Sequence, residues 1–306
     1  MIRLAHFSDI HVSALTNEWQ PRDWFSKRLT GWINLRFLGR GARFQYADQV
    51  LTVLRREFRE REFDQLVFSG DAGMIAFDAE FAKAADALGV NDPSQPPGIA
   101  VPGNHDHYVN GVVKRDRFEH FFAPWLVGER VDSSHHYPFA RRVGHIWLIG
   151  LNSSRANFGN WDASGEVGFA QRRRLAELLA QLEPGPRILV THYPAVMGNG
   201  EPEPIFHRLR DWDDVVKVAT AGGVGLWLCG HRHSGYVRMP MDNIPFPLIC
   251  AGSATQMNRW SYNEYQIEGN HLTMIRRQFD LDRNVFAETE TREIELPFAD
   301  HAASTK

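Results

Sequence analysis

Five short apolar runs in this chain break off at the same kind of residue. Ile2-Arg3-Leu4-Ala5-His6-Phe7 stops at Ser8-Asp9-Ile10-His11, and Leu66-Val67-Phe68 stops at Ser69-Gly70-Asp71. Ile99-Ala100-Val101 gives way to Pro102-Gly103-Asn104-His105-Asp106, and Ile188-Leu189-Val190-Thr191 to His192. The run 224–229 delivers Gly230-His231-Arg232-His233. Runs of this length, closed by glycine or polar residues, read as strands. Asp71 then lies at the carboxyl end of a parallel strand, where open α/β sheets place their ligands. Residues i and i+2 of an extended segment share a side, so Asp9 and His11 can face one point. Each motif alone fits a polar turn or a hydrogen-bonded histidine. Together they resist a packing explanation, because buried carboxylates and imidazoles at adjoining strand ends must be paired or bound to metal. Fourteen histidines in 306 residues, more than packing needs, argue the same way.

Between these motifs the apolar spacing changes to that of helices. The pattern predicts helices over 45–62, 77–89 and 168–182, a short one over 116–122, and a mostly helical stretch over 207–221. Strands are expected at 64–68, 137–142, 145–151 and 187–191, and a β-rich C-terminal part at 246–251, 262–267 and 272–279. No repeat, low-complexity tract or linker divides the chain, so residues 1–306 are read as a single domain, with 300–306 frayed. Cys229 and Cys250 both sit in apolar runs and read as buried core thiols.

Residues 14–44 form an aromatic and basic insertion. Trp19, Trp24, Phe25, Leu29, Trp32, Ile33, Phe37 and Leu38 alternate there with Arg22, Lys27, Arg28, Arg36, Arg40 and Arg43. Phe25, Leu29, Trp32 and Ile33 share a helical face that Gly31 interrupts and Arg36 intrudes upon. Three readings follow: a cap over the site that grips an anionic substrate, a surface lying on lipid headgroups, or a helix packed on the body with solvated arginines.

Composition narrows the classes of function. With 43% hydrophobic and 23% charged residues and a formal charge of −3, the chain has ordinary globular composition and no basic excess for nucleic acid. The start of the sequence runs directly into motif residues, with no secretion signal, and no apolar stretch approaches the length of a membrane span. A cytoplasmic protein is the expectation, with peripheral membrane contact through 14–44 as one of the three readings of that segment.

The set Asp9-Ile10-His11, Gly70-Asp71, Gly103-Asn104-His105-Asp106, His192 and Gly230-His231-Arg232-His233, in this order, resembles the calcineurin-like metallophosphoesterases. The resemblance covers about residues 4–255, with Gly252-Ser253 also in a familiar place. It implies an α/β fold, a four-layer αββα sandwich of two mixed β-sheets flanked by helices. It also implies two metals, one held by Asp9, His11 and His233 and the other by Asn104, His192 and His231, with Asp71 bridging. Mixed carboxylate, amide and imidazole ligands suit Mn, Fe or Zn, divalent or trivalent. By the same resemblance a metal-bound hydroxide attacks phosphorus, His105 gives a proton to the leaving oxygen, and Asp106 fixes the His105 tautomer. His107 is placed to contact substrate.

These residues point to a phosphodiesterase acting on a small-molecule or lipid-linked phosphoester. A phosphomonoesterase or pyrophosphatase is the alternative, and a DNA nuclease or a non-catalytic scaffold lies further off. Asn104-His105-Asp106 is closest in form to the branch with bacterial cyclic-nucleotide phosphodiesterases. This chain departs from that branch at His107-Tyr108 and carries Ala72-Gly73-Met74 after Asp71, where the family often has another Asp or Asn.

Overall fold

The computed structural model describes residues 1–157, 159 and 161–298. The chain opens with three parallel strands of a first sheet, β1 (Ile2–Phe7), β2 (Gln65–Phe68) and β3 (Gly98–Ala100). A second sheet follows, from β4 (Phe139–Val143), β5 (Ile146–Gly150), β6 (Arg187–Val190), β7 (Val224–Cys229), β8 (Tyr236–Arg238) and β9 (Leu248–Cys250). Its order is β4-β5-β6-β7-β9-β8, with β5, β6, β7 and β9 parallel. The chain then returns to the first sheet with β10 (Ser261–Glu268), β11 (His271–Asp280) and β12 (Val285–Glu295), which extend it antiparallel from β1.

Period-two alternation makes the layers. Leu4 of β1, Val67 of β2, and Leu226 and Leu228 of β7 enter one cluster between the sheets. Their neighbours Phe7 and Phe68 face a cluster on the outside of the first sheet, and Trp227 faces one on the outside of the second. Helices cover both outer faces. Besides α1 (Lys27–Phe37), the first side has α2 (Ala47–Glu60), α3 (Asp78–Leu88), α4 (Asn110–Val113) and α5 (Arg117–Phe121), and the second α6 (Phe169–Gln181) and α7 (Trp212–Ala221). This is the expected αββα sandwich. The stripes of α2 and α6 bury the residues their spacing predicts, from Val50 to Phe58 and from Leu175 to Leu179. Cys229 and Cys250 are buried free thiols, adjacent in register.

Several elements depart from the sequence reading. β8, β12 and the short α4 were not expected, and α7 begins at Trp212 instead of 207. In α1 the inward residues are Arg28 and Gly31, not the apolar stripe. The Arg28 guanidinium donates to Asp23 Oδ1 at 3.0 Å, to the Ile75 carbonyl at 3.1 Å and to the Ala76 carbonyl, so its burial leaves no donor group unmet. At Gly31 a Cβ would stand 2.6 Å from the Tyr108 hydroxyl, so only glycine allows α1 this close. Trp19 and Trp32 pack half-buried on the body, while Phe25 is 94% exposed, Phe37 72% and Leu38 69%. No helix among the described residues is long and apolar enough to cross a membrane.

Candidate metal centre

The loops after β1, β2, β3, β6 and β7 meet at one end of the sandwich. Backbone bonds continue past the strands: Asp9 N–H donates to the Gly70 carbonyl at 2.9 Å and His11 N–H to the Asp71 carbonyl at 3.0 Å. Asp9, His11, Asp71, His231 and His233 all take left-handed φ, between 43° and 70°. Non-glycine residues rarely hold that conformation, and its clustering here marks strain concentrated at a functional site. Gly103 is equally constrained, since a Cβ there would lie 2.0 Å from Asp71 Oδ1.

The seven expected ligands are together, in two groups. Ligand atoms of Asp9, His11, Asp71 and His233 lie within 4.8 Å of one another. In the second group, Asn104 Oδ1 is 3.1 Å from His192 Nε2 and 3.0 Å from His231 Nδ1. Asp71 joins them: its Oδ2 is 3.5 Å from both His11 Nε2 and His192 Nε2, while Oδ1 accepts the His105 N–H at 2.8 Å.

Outer partners fix which nitrogen each imidazole turns inward. His11 Nδ1 faces the Gly73 carbonyl, His192 Nδ1 the Ser69 carbonyl at 2.7 Å, and His233 Nδ1 the Gln256 amide oxygen. Each therefore aims Nε2 at the cluster. His231 is reversed, with Nδ1 inward and Nε2 3.4 Å from Glu203 Oε2. Such outer acceptors hold metal-ligating histidines in register.

The donor set fits cations. His11 Nε2 and His233 Nε2 face each other at 3.0 Å, two lone pairs in contact unless a positive charge lies between them. Asp9 Oδ1 is buried with no hydrogen-bond partner among the described residues. Burial, then the Asp9 charge, pushes the Asp71 carboxyl well above its usual range. Burial raises Asp9 too, but His233, His192 and Ser8 together outweigh it and hold the carboxyl down at about 2. Two buried carboxylates sharing imidazoles are a site that draws positive charge.

Three expected roles change. Asp106 does not touch His105: its two oxygens accept backbone N–H groups from Asp71, Ala72, Gly73 and Gly103 at 2.8–3.2 Å. It ties the β2 loop to the β3 loop, and the Met74 carbonyl, 2.7 Å from Nδ1, fixes His105. A carbonyl can only accept, so Nδ1 carries the proton and Nε2 carries a lone pair. That lone pair accepts from Arg40 Nη2 at 2.7 Å. His105 is thus an acceptor at the atom expected to protonate the leaving group, and burial followed by the Arg40 charge lowers its pKa well below normal. Finally, His107 is buried against Glu119 at 3.1 Å and turned from the cluster, because the turn after Asp106 points it into the α5 packing.

Glu203 and Gln256 were missed, and Arg40 was named only among the basic residues of the 14–44 insertion. None follows an apolar run, and only the fold brings them to the cluster. Gly252-Ser253 supports it from behind, Ser253 Oγ donating to the Asp9 carbonyl at 2.7 Å.

Residues 2–235 match the protein family described as calcineurin-like phosphoesterase. No protein of curated function matches the sequence significantly. Among solved structures, the fold is similar to that of a dimetal phosphatase from Danio rerio, with TM-score 0.63 and 13% identity over 96% of this chain and 98% of that one. It is also similar to purple acid phosphatase PPD1 from yellow lupin, with TM-score 0.61 and 12% identity over 96% of this chain and 53% of the other. GAP50, the anchor in the inner membrane complex of Plasmodium, has TM-score 0.57 and 11% identity over 96% and 89%. At these identities the likeness is one of fold.

Proposed function

The chain belongs to the calcineurin-like phosphoesterase family, and from that premise we propose a metal-dependent hydrolase of phosphodiesters. The observation that carries the reading is Asp71 Oδ2, 3.5 Å from a histidine of each ligand group. Asp9, His11 and His233 would hold one ion and Asn104, His192 and His231 the other. Oxygen and imidazole donors without thiolate favour manganese, iron or zinc. Two such ions supply charge neutralisation for phosphate oxygens and acidify water. The chain's own contribution is rigidity, through Asp106 on four backbone N–H groups and through the outer partners of the four histidines. Arg40 and His105 line the side from which a leaving group departs.

Purified protein should carry two transition-metal ions per chain and turn over bis(4-nitrophenyl) phosphate faster than 4-nitrophenyl phosphate. An Asp71→Asn protein should lose the hydrolysis by orders of magnitude. Undiminished turnover in that variant overturns the reading, and a preference for the monoester moves it to a phosphomonoesterase.

The outward aromatics favour a second reading, that the substrate is lipid-linked and met at a membrane surface. Leu15, Trp24, Phe25, Phe37 and Leu38 are exposed beside Arg22, Arg36 and Arg43. Apolar side chains in a cationic surround suit anionic headgroups. Sedimentation with phosphatidylserine vesicles at low salt should carry the protein down, and phosphatidylcholine vesicles should not. Equal recovery with both removes this reading.

A further inference from the structure

A cavity of about 250 Å³ opens beside the metal centre, between α1 and the loop after β3. Lys27, Asn34 and Arg40 come to it from the segment 14–44, facing Asn104 and His105, with Tyr108 alongside. Two cations therefore share one small space with a metal ligand. Neither forms a salt bridge among the described residues. Lys27 Nζ donates to the Asp162 main-chain carbonyl at 3.0 Å and stands 5.2 Å from the centre of the Tyr108 ring. The Asp162 carboxylate is engaged elsewhere, by Ser164 at 2.6 Å and Arg210 at 2.7 Å. Arg40 has His105 Nε2 as its side-chain partner. Burial lowers the pKa of both groups, against smaller upward pulls from Asp162 on Lys27 and from Tyr108, Asp71 and Glu80 on Arg40, as expected for cations taken from water without a directly paired carboxylate. Cations held this way are costly unless an anion joins them.

The position specifies which anion. Arg40 reaches His105 at 2.7 Å, and the His105 N–H reaches the bridging Asp71 at 2.8 Å, so the guanidinium is two hydrogen bonds from the bridge. A volume below the roughly 300–1,000 Å³ of pockets for drug-sized ligands takes a compact group, not a base or an acyl chain. We propose that Lys27 and Arg40 hold a second phosphate directly joined to the one at the metal cluster, so that the substrate is a diester of diphosphate. This rests on the hydrolase reading above and narrows its substrate. Water adds to the phosphorus at the cluster, the bond from that phosphorus to the bridging oxygen breaks, and the departing phosphate keeps the electron pair. The protons of the water end on the product phosphates or in the buffer. Arg40 stabilises the charge that develops on the departing oxygen, so no proton need come from His105 Nε2.

The test uses the metal-loaded full chain, with Lys27→Met, Arg40→Met and the conservative Lys27→Arg. Three substrates are compared: P1,P2-bis(4-nitrophenyl) diphosphate, bis(4-nitrophenyl) phosphate, and 4-nitrophenyl 3-phosphopropyl phosphate, whose two phosphates are separated by three carbons. Wild type should favour the diphosphate in kcat/KM. Each Met variant should lose about 10- to 100-fold on it, the worth of one charge-assisted hydrogen bond, and at least tenfold more than on the simple diester. Lys27→Arg should recover most of the loss. An equal loss on all substrates, or a wild-type preference for the simple diester or the spaced phosphate, overturns the proposal. Calorimetry of methylenediphosphonate against methylphosphonate separates the two levels of argument. Tighter binding of the diphosphonate that Lys27→Met abolishes upholds the cavity even if no substrate is hydrolysed, and equal binding by wild type and variant refutes it.

Discussion

His231 shows how a single ligand depends on a residue that no motif announces. Its Nδ1 points inward while Nε2 stands 3.4 Å from Glu203 Oε2, and Glu203 is itself held by Arg232 through its other oxygen. Glu203→Gln keeps the size but removes the charge that orients the imidazole. Loss of such an outer partner costs about 10- to 100-fold in metal affinity, and titration against a competing chelator should show it, with the two-metal stoichiometry retained at high metal. His6 makes a different prediction. It is buried between the Tyr265 and Ser69 hydroxyls, each 3.0 Å away, and burial lowers its pKa from 6.5 to about 3 against a smaller upward pull from Asp9. The folded pKa is below the unfolded one, so the unfolded chain takes up a proton first as pH falls. The stability is fully present above pH 6.5 and is lost between 6.5 and 3. Denaturant unfolding at pH 5 should show about 2 kcal/mol less stability than at pH 7 from this group, and His6→Gln should flatten that slope. At this scale the sequence displayed the residues that the structure gathers at the cluster, because apolar runs ending in His, Asp and Asn are visible in one dimension. It did not display their partners. Asp106 follows His105 in a tight turn, and adjacent turn residues diverge, so chain proximity misled about which group each one serves.

Among the elements, α1 departs furthest from its periodicity. The helix starts at Ser26, whose hydroxyl accepts the Arg28 N–H at 3.2 Å, and then places a charged residue inward where the stripe predicts an apolar face. α2 and α6 were legible because burial of their apolar side chains is what chiefly holds them to the sheets, and spacing reports it directly. α1 is seated instead by hydrogen bonds to the Ile75 and Ala76 carbonyls and to Asp23, which spacing cannot report. β12 escaped notice for a related reason. It is an edge strand whose Glu288, Glu290, Arg292 and Glu293 face water or pair with polar residues of β11 and of the strand itself, and only Phe286 and Ile294 are buried apolar anchors. Arg28→Ala should strand Asp23 as a buried unpaired carboxylate, a loss of about 3–5 kcal/mol for a pair of this kind. Because Arg28 ties α1 both to the preceding turn at Asp23 and to the Ile75 and Ala76 carbonyls of the loop after β2, the damage should be local. Amide exchange should accelerate across 21–44 while α2 and α6 keep their protection, and loss of protection throughout would show that α1 belongs to the global folding unit.

For the whole molecule, the decisive fact is that the candidate ligands come from both sheets. Asp9, His11, Asp71 and Asn104 extend from β1, β2 and β3, while His192, His231 and His233 extend from β6 and β7. Layering was readable in the sequence, since strands apolar on both faces must be covered on both. The return of β10 to pair with β1 was not, because strand partnership between residues more than 250 apart leaves no mark in local pattern. That return places Tyr265 and Ile267 between the two sheets, and a metal centre held by these residues would fasten the same two layers at their carboxyl ends. Metal binding is therefore expected to act on the sandwich as a unit. Each ion that binds the folded chain alone stabilises it by RT ln(1 + [L]/Kd), about 4 kcal/mol at a thousandfold excess over Kd. Removing both with a chelator should lower the melting temperature in one cooperative step. Near-ultraviolet signals from Trp147 and Trp227, both buried in the second sheet, should move together with hydrogen exchange in β1 of the first. Asp71→Asn, which removes the group common to both ligand sets, should reproduce much of that loss in metal-containing buffer while leaving the metal-free melting temperature nearly unchanged. A variant that melts like wild type with metal present would mean that the two ligand sets load independently and that Asp71 does not couple them.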